Sequence, residues 1–206
     1  MKRVFITGAS SGIGMALARE FSDEDVVLGL ISRRIEQLDN LANDLATDVY
    51  VYAADVGDSL AMKSAAEAFI QSVGVPDLVI ANAGVSSGTL TSEAKDQVVF
   101  EQIMRTNVLG MVHTYQPFVE AMKIRGSGTL VGISSIAGFR GIPGSGAYSA
   151  SKAAATAYLE SLRVELSSSG VNVLTVCPGD QGGSARKSCC ESHDAIERET
   201  YLTHPR

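Results

Sequence analysis

Clustered lysine and arginine are missing from this sequence: 17 Lys and Arg face 23 Asp and Glu, a formal net charge of −6. Nucleic acids and anionic membrane surfaces are bound through basic runs, so neither is an expected partner. Cysteine is also scarce. Cys177, Cys189 and Cys190 are odd in number and an adjacent pair closes no comfortable bridge, which excludes a disulfide framework. No apolar run reaches the ~18 residues of a membrane span, and the chain runs into a strand pattern directly after Lys2 and Arg3. The expectation is a soluble, reduced, cytoplasmic protein. With 45 % hydrophobic and 19 % charged residues the composition is globular. A domain of this size buries roughly 70 % of its unfolded surface, enough for a core without crosslinks.

Glycine is what the chain has in quantity, 20 residues, several of them just after short apolar runs. Those runs fall at 4–6, 26–31, 49–53, 78–81, 129–133 and 171–176. Being apolar on both faces, they suit parallel strands covered by helices on either side. Helical spacing of apolar residues recurs at 13–21, 35–45 and 60–73, and 147–166 is Ala- and Ser-rich. A longer helix is expected over 96–123, with Val99, Ile103, Val108, Val112, Tyr115, Val119 and Met122 as its buried stripe. Six strands alternating with five helices predict a single α/β domain over 1–179, a Rossmann-type doubly wound parallel sheet. After Pro178-Gly179 the composition changes, and from 180 to 206 Ile196 and Leu202 are the only large aliphatics. That segment is expected to be a polar tail, mobile or weakly helical, because it cannot supply another buried strand and helix.

The first strand ends in Thr7-Gly8-Ala9-Ser10-Ser11-Gly12-Ile13-Gly14. A glycine-rich turn at a helix N-terminus brings backbone N–H groups and the positive end of the helix dipole to a pyrophosphate. Gly8 permits the tight turn, Gly12 the close approach and Gly14 the packing of helix on sheet, with Ser10, Ser11 and Ile13 beside the ligand. The second strand should read the adenosine ribose, and it ends in Ser32-Arg33-Arg34 with no carboxylate. An arginine there forks a 2′-phosphate, so the expected cofactor is NADP(H) with Arg33 as the contact and Arg34 as its competitor. Asp55 and Val56 follow the third strand and are expected at the adenine, unless Asp55 caps the next helix, a role open to Asp58. Asn82-Ala83-Gly84 follows the fourth strand and is expected to brace the sheet beside the cofactor.

Tyr148 and Lys152 stand four apart and share a helix face. A free phenol titrates near ~10, and an ammonium held beside it favours the phenolate, which makes such a tyrosine a general acid and base. Gly132-Ile133-Ser134-Ser135 ends the fifth strand at the same sheet edge, offering Ser135, or its competitor Ser134, to a substrate carbonyl. Asn107 is polar within an apolar stripe, a costly placement unless its amide is paired. His113 in the same helix is expected to be structural or at an interface. Cys189, Cys190 and His193 suit tetrahedral zinc poorly, so no metal is expected.

This ordered set, Thr7-Gly8-x-x-x-Gly12-x-Gly14, Asn82-Ala83-Gly84, Asn107, Ser135, Tyr148, Lys152 and Pro178-Gly179, resembles the short-chain dehydrogenase/reductase family over about residues 1–179. The resemblance implies a tetrad of Asn107, Ser135, Tyr148 and Lys152, with the serine about thirteen residues before the tyrosine. It further implies hydride transfer between NADP(H) and a small carbonyl or secondary alcohol, with Tyr148 and Lys152 (the latter at the ribose) and Pro178 and Gly179 at the cofactor, and a homodimer through the helix over 96–123 and the Tyr148 helix. The family usually continues with a threonine at the nicotinamide, a helical substrate lid and a last strand. Position 183 is Gly and none of the three is legible in 180–206. The alternative is therefore a dinucleotide-binding protein with impaired turnover, and an isomerase or dehydratase using the same tyrosine also fits these motifs.

Overall fold

The computed structural model describes residues 1–179. Six parallel strands form one sheet: β1 (Lys2–Thr7), β2 (Val26–Ser32), β3 (Asp48–Ala53), β4 (Leu78–Ala81), β5 (Gly128–Ile133) and β6 (Val171–Val176), in the spatial order β3-β2-β1-β4-β5-β6. The helices are α1 (Gly12–Phe21), α2 (Ile35–Asp44), α3 (Ser59–Val73), α4 (Gln97–Met104), α5 (Gly110–Arg125) and α6 (Gly146–Glu165). This is the doubly wound Rossmann-type fold. The strand order reverses between β1 and β4, and a crevice opens beyond their carboxyl ends, as it does in such sheets. The polar tail expected at 180–206, with Cys189, Cys190 and His193, lies outside the described residues.

Burial follows the strand's place in the sheet. Every residue of β2 and β4 is buried, because helices cover both faces. β3 departs from the expectation of a strand apolar on both faces. It is an edge strand carrying Asp48, Tyr50 and Tyr52, none of its residues is fully buried, and Tyr50 is 37 % exposed. One face of the sheet packs Val4, Ile6, Leu28 and Leu30 against Leu17 and Phe21 of α1 and Leu38 and Leu41 of α2. The other packs Phe5 and Val79 against Phe69 of α3, Phe118 of α5 and Leu159 of α6. Gly29 makes this second face possible. A Cβ there would fall 2.7 Å from both Phe5 and Phe69, whose rings meet edge to face at 5.4 Å.

The expected long helix is interrupted. α4 and α5 are joined by a π-helical turn, Arg105–Leu109, that holds Asn107. The apolar period on either side is helical, but the Asn107 amide is drawn into bonds with neighbouring segments, and a widened turn accommodates it. Far from the crevice, at the amino ends of the strands, the Asp77 carboxylate accepts from Arg3 N–H, Nε and Nη2 at 2.9–3.0 Å and faces Arg125 Nη1 at 3.2 Å. Burial alone would raise the Asp77 carboxyl; the bonds from Arg3 and the charge of Arg125 outweigh it and leave it below its ordinary 3.8.

Candidate active site

The crevice is a cavity of about 810 Å³, within the size range of small-molecule and cofactor sites. It runs from Arg33, Asp55 and Val56 at one end, past Gly8, Ser10, Ser11, Gly12, Ile13, Asn82, Ala83 and Gly84, to Ser135, Tyr148, Lys152, Pro178 and Gly179 at the other. The sequence-predicted site residues missing from its wall are Gly14 and Asn107. Both lie behind it.

The turn after β1 is shaped by its glycines. Gly8 adopts φ +69° and a Cβ on it would stand 2.8 Å from Ala83 Cα. Gly14 packs so closely that a Cβ would fall 2.5 Å from the Gly8 carbonyl. Gly12 is different: its φ of +57° favours glycine, yet nothing lies within 4 Å of where its Cβ would be. The open space there is the crevice. Ser11 stands at the N-cap of α1 and its side chain makes no capping bond, so the first N–H groups of the helix are left for a ligand. An elongated cradle with an uncapped helix start and a Cβ-free wall fits the diphosphate of a dinucleotide.

Thr7 and Asn82 lock the turn to β4. Asn82 Nδ2 donates to the Thr7 carbonyl at 3.0 Å, and Thr7 Oγ1 accepts from the N–H groups of Asn82 and Ala83, both at 3.2 Å. Beside it, the Arg34 guanidinium donates to Ser10 Oγ through Nη2 at 2.8 Å and to Ser11 Oγ at 2.7 Å, while Ser10 and Ser32 share a hydroxyl bond at 2.7 Å. Arg33 is freer: its side chain is 63 % exposed and lies 3.7 Å from the Asp55 carboxylate. Asp55 Oδ1 also accepts from Gly57 N–H at 2.8 Å. Helix capping falls to Asp58, whose carboxylate accepts from the N–H groups of Leu60 and Ala61.

At the far end, Ser134 and Ser135 have separate roles. Ser134 is 2 % exposed and its hydroxyl is tied to the Lys152 carbonyl at 3.0 Å and to Thr156 Oγ1 at 2.8 Å. Ser135 is half-buried, and its oxygen accepts only a weak cap from Ala137 N–H at 3.1 Å among the described residues. Its proton remains available to the crevice. Tyr148 and Lys152 share one face of α6, the ammonium 5.7 Å from the tyrosine ring centre. Lys152 is 4 % exposed and donates to the Ile133 carbonyl at 2.7 Å. Burial lowers its pKa from 10.5 to about 8, partly offset by the charge of Cys177.

Asn107 supports this end from behind. Its Oδ1 accepts from Val85 N–H at 2.8 Å, and its Nδ2 donates to the Val85 carbonyl and to Ser151 Oγ, both at 2.9 Å. Ser151 Oγ in turn donates to the Tyr148 carbonyl at 2.7 Å. Asn107 thus positions the loop after β4 and the first turn of α6. Gly84 lets the parts close up, since a Cβ there would stand 3.3 Å from Asn107 Oδ1 and 3.5 Å from Lys152 Nζ. Sequence reading missed Ser151 and the Arg34 clasp on Ser10 and Ser11. The four-residue step from Ala147 to Ser151 on α6, both buried, was the available signal for the first.

The sequence matches the family profile of the short chain dehydrogenases over residues 2–189, and the chain belongs to that family. It is 36 % identical over 206 residues to an uncharacterised oxidoreductase of Myxococcus xanthus (strain DK1622), covering 95 % of this chain and 81 % of that one. Its fold is similar to that of an alcohol dehydrogenase from the archaeon Thermococcus sibiricus complexed with 5-hydroxy-NADP, with a TM-score of 0.81, 29 % identity, and coverage of 87 % of this chain and 76 % of that one. The apo form of LigD from Sphingobium sp. strain SYK-6 superposes with a TM-score of 0.87 at 27 % identity, over 97 % of this chain and 87 % of that one. A nicotinamide dinucleotide is the cofactor class of this family. No helix among the described residues is long and apolar enough to cross a membrane.

Proposed function

We propose that the chain is an NADP(H)-dependent oxidoreductase acting on a small carbonyl or secondary alcohol, with Tyr148 as its general acid and base. The observation that carries this reading is the convergence of Ser135, Tyr148 and a desolvated Lys152 on one end of a crevice whose other end presents Arg33 and Arg34. When bound, the dinucleotide supplies or accepts the hydride. Its diphosphate would lie on the Gly8–Gly14 turn, its adenine end beside Asp55 and Val56, and its 2′-phosphate at Arg33, with Arg34 behind. Asn82, Ala83, Gly84, Pro178 and Gly179 would wall the remainder. The 5-hydroxy-NADP bound by the archaeal relative supports the same preference.

Ser135 donates a hydrogen bond to the substrate oxygen and polarises the carbonyl. Tyr148 gives its phenolic proton to that oxygen as the alcohol forms, and takes it back in the oxidative direction. The Lys152 ammonium stabilises the negative charge that Tyr148 carries between those events. Asn107 fixes Tyr148 through Ser151. We further propose a cytoplasmic homodimer joined along α4, α5 and α6, where Val98 and Phe100 are exposed on α4, Ile124 on α5 and Val164 on α6. Light scattering at micromolar concentration returns twice the chain mass if so, and a monomer there overturns the dimer.

Calorimetric titration with NADPH and NADH, followed by an absorbance assay over a panel of ketones and aldehydes, tests the activity. NADPH is expected to bind at least tenfold more tightly than NADH. Tyr148→Phe is expected to keep NADPH affinity and lose turnover by a factor on the order of 10²–10⁴. Undiminished activity of that variant removes Tyr148 from the mechanism. Binding with no turnover on any substrate instead makes this a dinucleotide-binding protein.

A further inference from the structure

Two residues on the rod formed by α4, the π turn and α5 reach back to the turn that follows β3. His113 Nδ1 donates to the Val56 carbonyl at 2.9 Å, and Arg105 Nε donates to the Gly57 carbonyl at 3.2 Å. A carbonyl only accepts, so the imidazole carries a proton on Nδ1. Between these two, Gly110 has no side chain. A Cβ there would stand 2.6 Å from Val56 Cγ2, so the helix backbone lies directly on the valine. Gly57 is fitted to Arg105 in the same way, since a Cβ on it would come within 2.9 Å of Nε.

The turn being gripped matters because Asp55 and Val56 line the crevice at its Arg33 end. Neither Arg105 nor His113 belongs to that lining. They hold the peptide groups of the wall rather than the ligand. Arg105 opens the π turn, His113 stands in the first turn of α5, and the stretch they bracket carries Asn107 with its grip on Val85. One short rod therefore sets both ends of the crevice.

We propose that Arg105 and His113 are positioning residues for the adenine end of the dinucleotide, holding Asp55 and Val56 in place through the backbone of residues 56 and 57. The inference rests on the dinucleotide reading of the crevice. Calorimetric titrations of the full chain with NADPH and with adenosine 2′,5′-bisphosphate test it, on the wild type and on His113→Ala, His113→Asn and Arg105→Met, with melting curves alongside. His113→Ala is expected to weaken both ligands by the same factor, about five- to tenfold, the worth of one hydrogen bond. His113→Asn places an amide N–H where Nδ1 stood and is expected to bind both within about twofold of the wild type. Arg105→Met reads the same pair of affinities should His113→Ala fail to fold. Lower melting temperatures with unchanged affinities would show a purely structural role and overturn the proposal, as would a loss confined to NADPH and absent from the bisphosphate. A wild type that binds neither ligand removes the dinucleotide reading itself, a result distinct from variants that bind as the wild type does.

Discussion

Lys152 joins chemistry to stability at the scale of one residue. Its ammonium is enclosed at 4 % exposure with the Ile133 carbonyl as hydrogen-bond acceptor, and its pKa falls to about 8. The unfolded chain holds that proton up to its ordinary 10.5, so between about pH 8 and 10.5 the unfolded state binds more protons. Raising the pH through that window therefore favours the fold. Urea unfolding of wild type and Lys152→Met should show the difference in stability moving toward the wild type by about 1–3 kcal/mol from pH 7.5 to pH 10. A constant difference across that range would mean the lysine is not desolvated. The candidate site residues were legible from type and order: the Gly8–Gly14 turn, Asn82–Gly84 and Ser135 each follow a strand, and Tyr148 and Lys152 stand four apart on α6. The Arg34 clasp was not, since Ser10 and Ser11 lie 24 and 23 residues earlier and only the parallel pairing of β1 with β2 brings them together.

Among the elements, the π turn is where local pattern and tertiary demand part. Val99, Ile103, Tyr115 and Met122 keep helical spacing across it, so periodicity reads one uninterrupted helix. Asn107 is the visible irregularity, and its three bonds to Val85 and Ser151 explain the widened turn. Asn107→Ala leaves the Val85 N–H and carbonyl without these partners. It is expected to cost about 2–4 kcal/mol in denaturant unfolding and to reduce turnover by disturbing Tyr148 through Ser151. A variant as stable as wild type would show that water or relaxation replaces the amide. The solvation of β3 had a local signal, Asp48, Tyr50 and Tyr52 alternating with Val49 and Val51, which reading the run as apolar on both faces passed over.

For the whole molecule, function and cohesion occupy opposite rims of the sheet. The crevice lies at the carboxyl ends of the strands, while Asp77 with Arg3 and Arg125 ties β1, β4 and the end of α5 at the amino ends. Asp77→Asn should therefore lower stability by about 1.5–3 kcal/mol at pH 7 and leave cofactor affinity unchanged. Because the Asp77 carboxyl sits below its ordinary 3.8, its stabilisation is complete above that pH and is lost as pH falls through the lower folded value. The gap between wild type and Asp77→Asn should close only in strong acid, and a gap already closed at pH 5 would contradict the pairing.

Two backbone hydrogen bonds to the outlet of β6 carry a last implication. Ser134 N–H donates to the Val176 carbonyl at 2.7 Å and Ile136 N–H to the Pro178 carbonyl at 3.2 Å, with Ser135 between them. The serine hangs from the departing chain as if on two tendons. The backbone on either side of Ser135 is thus held in register with Val176 and Pro178. In the proposed reaction, a shift of the strand end at Val176–Pro178 would therefore change how Ser135 meets the substrate oxygen.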